Sequence, residues 1–163
     1  MGHSKITAIV AGLLLLSGCT TVRSTVQKSM RSEGLSNISF PEVVWEEYGC
    51  GERELPFFEI EANELVPLRV RPGGDFNHRI RYALCPARAT EVIRGVLETR
   101  ILYKGEAIFT DVNEHHEFLP GRWRADTFVE IPADASPGIY AYELVFKSDA
   151  LRFTRQLTFL VPT

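Results

Sequence analysis

The chain lacks an apolar run long enough to span a bilayer. Its longest, from Ile6 to Leu16, is eleven residues, whereas a spanning helix needs about twenty. It lacks a surplus of one charge, since 18 Lys and Arg stand against 21 Asp and Glu for a net of −3. A mildly acidic chain of this kind is not built for nucleic acid, whose readers are basic. It has no C-x-x-C pair, which removes the usual redox motif. It has no G-x-S-x-G elbow and no Gly-rich phosphate-binding loop. Histidine is scarce, at four residues in 163. There is no internal repeat and no low-complexity tract. No catalytic residue, resident metal or cofactor is singled out by these patterns.

What is present begins at the first nineteen residues. A short head carrying Lys5 precedes the apolar run, and Ser17, Gly18 and Cys19 close the segment. The run has the length of a secretory h-region rather than of a membrane span. The stretch Leu16-Ser17-Gly18-Cys19 resembles the lipobox of bacterial lipoproteins. That resemblance implies cleavage before Cys19 and fatty acylation of Cys19. Each buried methylene contributes about 0.8 kcal/mol, so two or more chains hold a protein on a bilayer. By the same resemblance, Thr20 and Thr21 follow the cysteine with no Asp beside it, which implies the periplasmic face of the outer membrane; the outer leaflet of the inner membrane is the alternative.

Removal of residues 1–18 leaves 145 residues and, with Lys5 gone, a net charge of −4. That is one domain's length. Setting Cys19 aside leaves Cys50 and Cys85. An exported protein meets an oxidising compartment, so the even pair predicts a disulfide. Residues 20–39 are polar and carry Arg23, Lys28 and Arg31 against Glu33. They read either as a flexible tether or as a short helix, with Val22, Val26 and Met30 on one side, lying on anionic headgroups. In both readings they are a spacer, and the folded domain is expected over 40–163.

From Phe40 onward the apolar pattern has a period of two and is punctuated by Pro and Gly. This predicts an all-β domain. Strands are expected near 43–48, 55–61, 64–71, 77–84, 92–103, 106–112, 123–131, 139–146 and 151–161. The last two form the clearest pair. Tyr140, Tyr142, Leu144 and Phe146 share one face, as do Leu151, Phe153, Leu157, Phe159 and Val161, with a turn at 147–150. Residues 103–106 make a second turn. The segment 92–103 fits a helical spacing too, and its branched and aromatic content favours a strand. Eight or nine strands in this length imply two packed sheets.

The run from Leu119 to Tyr140 has a strand ending at Ile131, a turn closed by Pro137-Gly138, and Tyr140 two places later. It resembles the late strands of immunoglobulin-like and fibronectin-like β-sandwiches. The resemblance implies a single antiparallel two-sheet sandwich, with Tyr140 bonded back to the loop before it. Trp45 precedes both Cys50 and Cys85, so the Cys…Trp…Cys spacing of antibody domains is missing.

Charge is unevenly spread. From Glu42 to Glu64 there are eight Glu and one Arg, whereas from Arg69 to Arg100 seven Arg face three acids. Were 64–71 and 77–84 to pair, Arg69, Arg71, Arg79 and Arg81 would share a solvent face. Cross-strand charge pairing is one reading of that face. A guanidinium surface for phosphate or carboxylate groups, such as an anionic glycan, is the other. Asp111, Asn113, Glu114, His115, His116 and Glu117 form the one His-rich cluster. On a strand His115 and His116 point apart, so exposed side chains are a better reading than a zinc site. Trp45, Trp123 and the tyrosines are assigned to the core rather than to a sugar platform.

Together these readings make the chain a lipid-anchored, non-catalytic binding or accessory module of an envelope complex, with a protein partner. A module for carbohydrate or cell-wall polymer is the alternative, and a small envelope hydrolase the third.

Overall fold

The computed structural model describes residues 34–88 and 90–163. The lipobox, Cys19 and the greater part of the spacer lie outside the described residues. Eight strands form two antiparallel four-stranded sheets, so the domain is an all-β sandwich. They are β1 (Gly34–Ser39), β2 (Phe57–Val66), β3 (Asp75–Cys85), β4 (Ile93–Tyr103), β5 (Glu106–Phe118), β6 (Gly121–Glu130), β7 (Gly138–Lys147) and β8 (Arg152–Val161). One sheet runs β1-β6-β3-β2 and the other β5-β4-β7-β8. This order is immunoglobulin-like. Strands β2, β3 and β6 stand where A, B and E do, and β5, β4, β7 and β8 where C′, C, F and G do.

The period-two pattern works as expected in β7 and β8. Tyr140, Tyr142, Leu144 and Phe146 are all buried, and Phe159 and Val161 join them. Opposite them, β3 turns Phe76, His78, Ile80, Tyr82 and Leu84 inward. Ring contacts knit the layers: Phe76 lies 4.9 Å from Phe159, and Phe58 stacks at 5.3 Å on Phe153. Segment 92–103 is the strand its branched content favours. The Tyr140 hydroxyl donates to the Ser136 carbonyl at 2.7 Å, the back-bond that the sandwich resemblance implies. Tyr82, Tyr140 and Tyr142 are core residues, each at most 4 % exposed.

Three expectations are corrected. Residues 43–48 are not a strand but part of a helix, α1 (Pro41–Tyr48). Pro41 stands at the start, where its missing N–H costs nothing. Glu42 sits at the positive end of the helix dipole, and Gly49 closes the helix at φ 57°, a left-handed position that glycine occupies without strain. Next, the folded part starts before Phe40, because Gly34–Ser39 pairs with β6. Lastly, 55–61 and 64–71 are not two strands. One strand, β2, runs from Phe57 to Val66 with an irregularity at Glu61. Pro67 follows, and the chain crosses to the other sheet. There the Val70 amide donates to the Leu160 carbonyl at 2.9 Å, and the Leu160 amide donates to the Leu68 carbonyl at 2.8 Å.

Cys50 and Cys85 form the expected disulfide, with a Cα separation of 6.3 Å. It does not bridge the two sheets. Cys85 shares the outer face of β3 with Ala83, and there Val44 of α1 packs against both cysteines. The disulfide therefore fixes α1 and its following turn on the outside of the first sheet.

Candidate functional site

The structure separates the four arginines. Strand β3 pairs with Phe57–Val66, not with 64–71. Arg79 and Arg81 lie on the outer face of β3, while Arg69 sits beside β8 of the other sheet and Arg71 follows in the same connection. Arg79 and Arg81 also have carboxylate partners. Arg79 Nε meets Asp126 at 3.1 Å and its Nη1 meets Glu64 at 3.5 Å; Arg81 meets Glu61 at 2.9 Å. Arg122, which sequence reasoning did not single out, joins Glu61 and Glu47, both at 2.7 Å. Its guanidinium ties β6 to β2 and to α1. The acidic block and the following basic block thus meet across neighbouring strands, as the charge-pairing reading expects. Burial works upward on the Asp126 carboxyl, but hydrogen bonds from Asn77 and Arg79 outweigh it and hold it below the ordinary range.

The His-rich cluster lies wholly on β5. His115 is exposed, and its backbone amide donates to Asn113 Oδ1 at 3.0 Å. His116 turns the other way, onto Phe118 at 4.8 Å, and burial lowers its pKa. The two imidazoles do not converge. Among the described residues no three His, Cys, Asp or Glu side chains are grouped as a metal ion requires.

The feature that sequence reasoning missed is a cleft of about 350 Å³ between the two sheets, on the side where β1 and β5 are the edge strands. Gly34 and Leu35 of β1 line it on one side and Asp111, Asn113, His116 and Glu117 of β5 on the other. Its floor includes His78, Tyr142, Tyr82 and Phe118, and Asp111 and Glu117 lie toward β5. Cross-strand partners share a face of a sheet. Asp111 pairs with Thr99 and Phe109 with core residue Ile101, so Phe109, Asp111 and Asn113 face inward at the mouth.

His78 is the one His of the floor that is 3 % exposed. Its Nε2 donates to Asn63 Oδ1 at 2.7 Å. That leaves Nδ1 as acceptor for the Tyr142 hydroxyl at 3.4 Å, a long hydrogen bond. Burial pushes the imidazole pKa down to about 4, against the opposing charge of Asp126. Burial likewise pushes the Tyr142 phenol up to about 12. Both groups are neutral near pH 7. They form a fixed polar floor rather than an acid–base pair poised for proton transfer. The signal was present in the sequence, because His78 has the same parity as Phe76, Ile80 and Tyr82.

Strand β5 itself is exposed along most of its length. Ile108, Phe109 and Val112 are 57 %, 51 % and 50 % exposed. It carries Glu106, Asp111, Glu114 and Glu117 and no Lys or Arg.

No family model matches the chain, and no curated protein sequence does. Among solved structures, the Pseudomonas fluorescens alkylpurine DNA glycosylase AlkC is similar at 12% identity and a TM-score of 0.46, over 65% of this chain and 30% of that one. The Bacillus subtilis sporulation control protein Spo0M is similar at 14% identity and a TM-score of 0.41, over 65% of this chain and 49% of that one. A Listeria innocua β-glucosidase is similar at 10% identity and a TM-score of 0.44, over 68% of this chain and 17% of that one. This chain therefore spans less than half the length of each of these proteins. None of the three carries an argument about its activity or its site. Among the described residues no helix is long and apolar enough to cross a membrane.

Proposed function

We propose that this chain is a lipid-anchored, non-catalytic binding module that receives a protein partner of an envelope complex along its open β1/β5 side. One observation carries the docking face: among the described residues β5 is a thirteen-residue edge strand, exposed beside a cleft, with three half-exposed apolar side chains. An edge strand presents unpaired N–H and C=O groups to a partner, and strand addition to such an edge is a recurrent recognition mode. Two features support the setting. The Leu16–Cys19 stretch has the lipobox pattern, and a disulfide between Cys50 and Cys85 suits an oxidising compartment. Carbohydrate binding has less support, since three of the five tyrosines, Tyr82, Tyr140 and Tyr142, are buried in the core.

The test uses a photo-crosslinking amino acid in the full chain in intact cells. Placed at Thr110 of β5 or at Ile38 of β1, it is expected to give one defined protein adduct; at Glu59 of β2 it is expected to give none. The Cys19→Ser variant should leave the membrane fraction and lose the adduct while the domain stays folded. Equal adducts at all three positions, or adducts from Glu59 alone, overturn the docking face. Retention of the Cys19→Ser protein on membranes overturns the anchor.

A further inference from the structure

The longest run of β5 that pairs with β4 without a register shift is Phe109–Asn113, with shorter paired runs at Glu106–Ala107 and His116–Phe118 on either side. Register shifts fall on both sides of that stretch, one near Ala107 and one between Asn113 and His116. Bulges of this kind bend a strand and disrupt its ladder locally, so the longest regular stretch of the edge is centred on Asp111. An added strand would run beside β5 at about 4.8 Å. Its side chain opposite Asp111 would lie within roughly 5 Å of it, on the same face. That face looks into the cleft. Among the described residues lining the cleft there is no Lys or Arg, whereas Asp111 and Glu117 are present near Tyr142 and Phe118. Among the described residues the one arginine in a salt bridge with a β5 acid is Arg94, on Glu117 at 2.8 Å. Carboxylate at the mouth and aromatic rings at the floor suit a cation on an aliphatic stem, which packs its methylenes while its charge meets the acid.

We propose that the occupant of the β5 edge is an extended basic segment of the partner protein, which adds to β5 over Phe109–Asn113 and puts a Lys or Arg side chain into the cleft against Asp111. This rests on the docking face argued above and adds the chemistry of what docks there. Backbone pairing supplies attachment, and the charge of β5 supplies selection. Four acids without a Lys or Arg in the strand attract basic segments and repel acidic ones, and salt weakens both effects.

The test is a titration of the full chain in detergent micelles, followed by amide and aromatic NMR shifts. The probes are capped seven-residue peptides, Thr-Val-Thr-Lys-Thr-Val-Thr and its norleucine and Glu counterparts, with a lysine version N-methylated at alternate amides. The lysine peptide should shift the amides of Phe109–Asn113 and the Tyr142 ring. It should bind about tenfold more tightly than the Glu peptide and several-fold more tightly than the norleucine one. N-methylation on the pairing edge should abolish binding. The Asp111→Asn variant should bind lysine and norleucine peptides within about twofold of each other. Equal binding of lysine and norleucine peptides by the unaltered chain overturns the proposal, and so does indifference to N-methylation or the absence of binding at about millimolar peptide. Concentration-dependent pairing of β5 with a second copy would overturn it too. If Thr110 still gives its adduct in cells while the lysine peptide shows no preference, the docking face stands and only the chemistry of the occupant falls.

Discussion

Replacing Cys50 and Cys85 by Ala, or reducing the bond, is expected to cost about 3–4 kcal/mol of stability. The bond closes a loop of 35 residues' separation, and on the chain-entropy model a loop of that length restricts the unfolded chain by about that amount. For a domain of this size the melting temperature should fall by roughly 10–15 °C. The loss has a location as well. Val44 packs on both cysteines at the outer face of the first sheet, and α1 has only eight residues. A helix that short has little stability of its own. Without the bond, α1 should loosen before the sheets melt. Thermal melts of the oxidised, reduced and double-Ala proteins, read by circular dichroism, check this. A change below about 1 kcal/mol would mean that tertiary packing already holds the helix in place.

The second large effect is a dependence of stability on pH that comes from His78. Its folded pKa is about 4, below its ordinary 6.5. Between those values the unfolded chain binds the proton and the folded chain does not. Stability therefore rises with pH from about 4 to 6.5 and is flat above for this group. The shift corresponds to about 3 kcal/mol lost on acidification across that window. The depressed Asp126 carboxyl pulls in the same direction, but chiefly below its ordinary 3.8. The difference between the unaltered chain and a His78→Gln variant isolates the imidazole. Gln keeps a donor for Asn63 and cannot charge. Urea melts at pH 7, 5.5 and 4 should converge for the two proteins as the pH falls. Parallel curves would show that His78 takes up its proton equally in the folded and unfolded chain, and that the polar floor of the cleft is misassigned.

Strands β3, β7 and β8 were legible because each buries one face, so apolar residues alternate in the sequence. Three things were not. In α1, the branched and aromatic run Val43-Val44-Trp45 imitated a strand and outweighed the Pro41 and Gly49 boundary signals. In β1, exposure along nearly the whole strand leaves no alternation, since its place is set by backbone pairing to β6. In the arginine pattern, alternation gave the right face for Arg79 and Arg81, but Pro67 turned Arg69 and Arg71 onto the other sheet. The cleft was illegible for a further reason. Its lining comes from strands of both sheets, from Gly34 of β1 to Phe153 of β8, and local pattern carries no trace of which strands meet there. Asp111 and Asn113 were noticed as members of a His-rich cluster. What gives them their place is not that cluster but the inward face of β5, which only the register with β4 defines.

The account depends on β5 being an uncovered edge before any partner arrives. Amide hydrogen exchange of the full chain, measured residue by residue, tests this directly. Every second amide of Phe109–Asn113 should exchange as fast as an exposed loop, while the amides of β7, paired on both sides, should be among the slowest. Protection of all five β5 amides to the level of β7 would show the edge already covered, and would contradict the docking face.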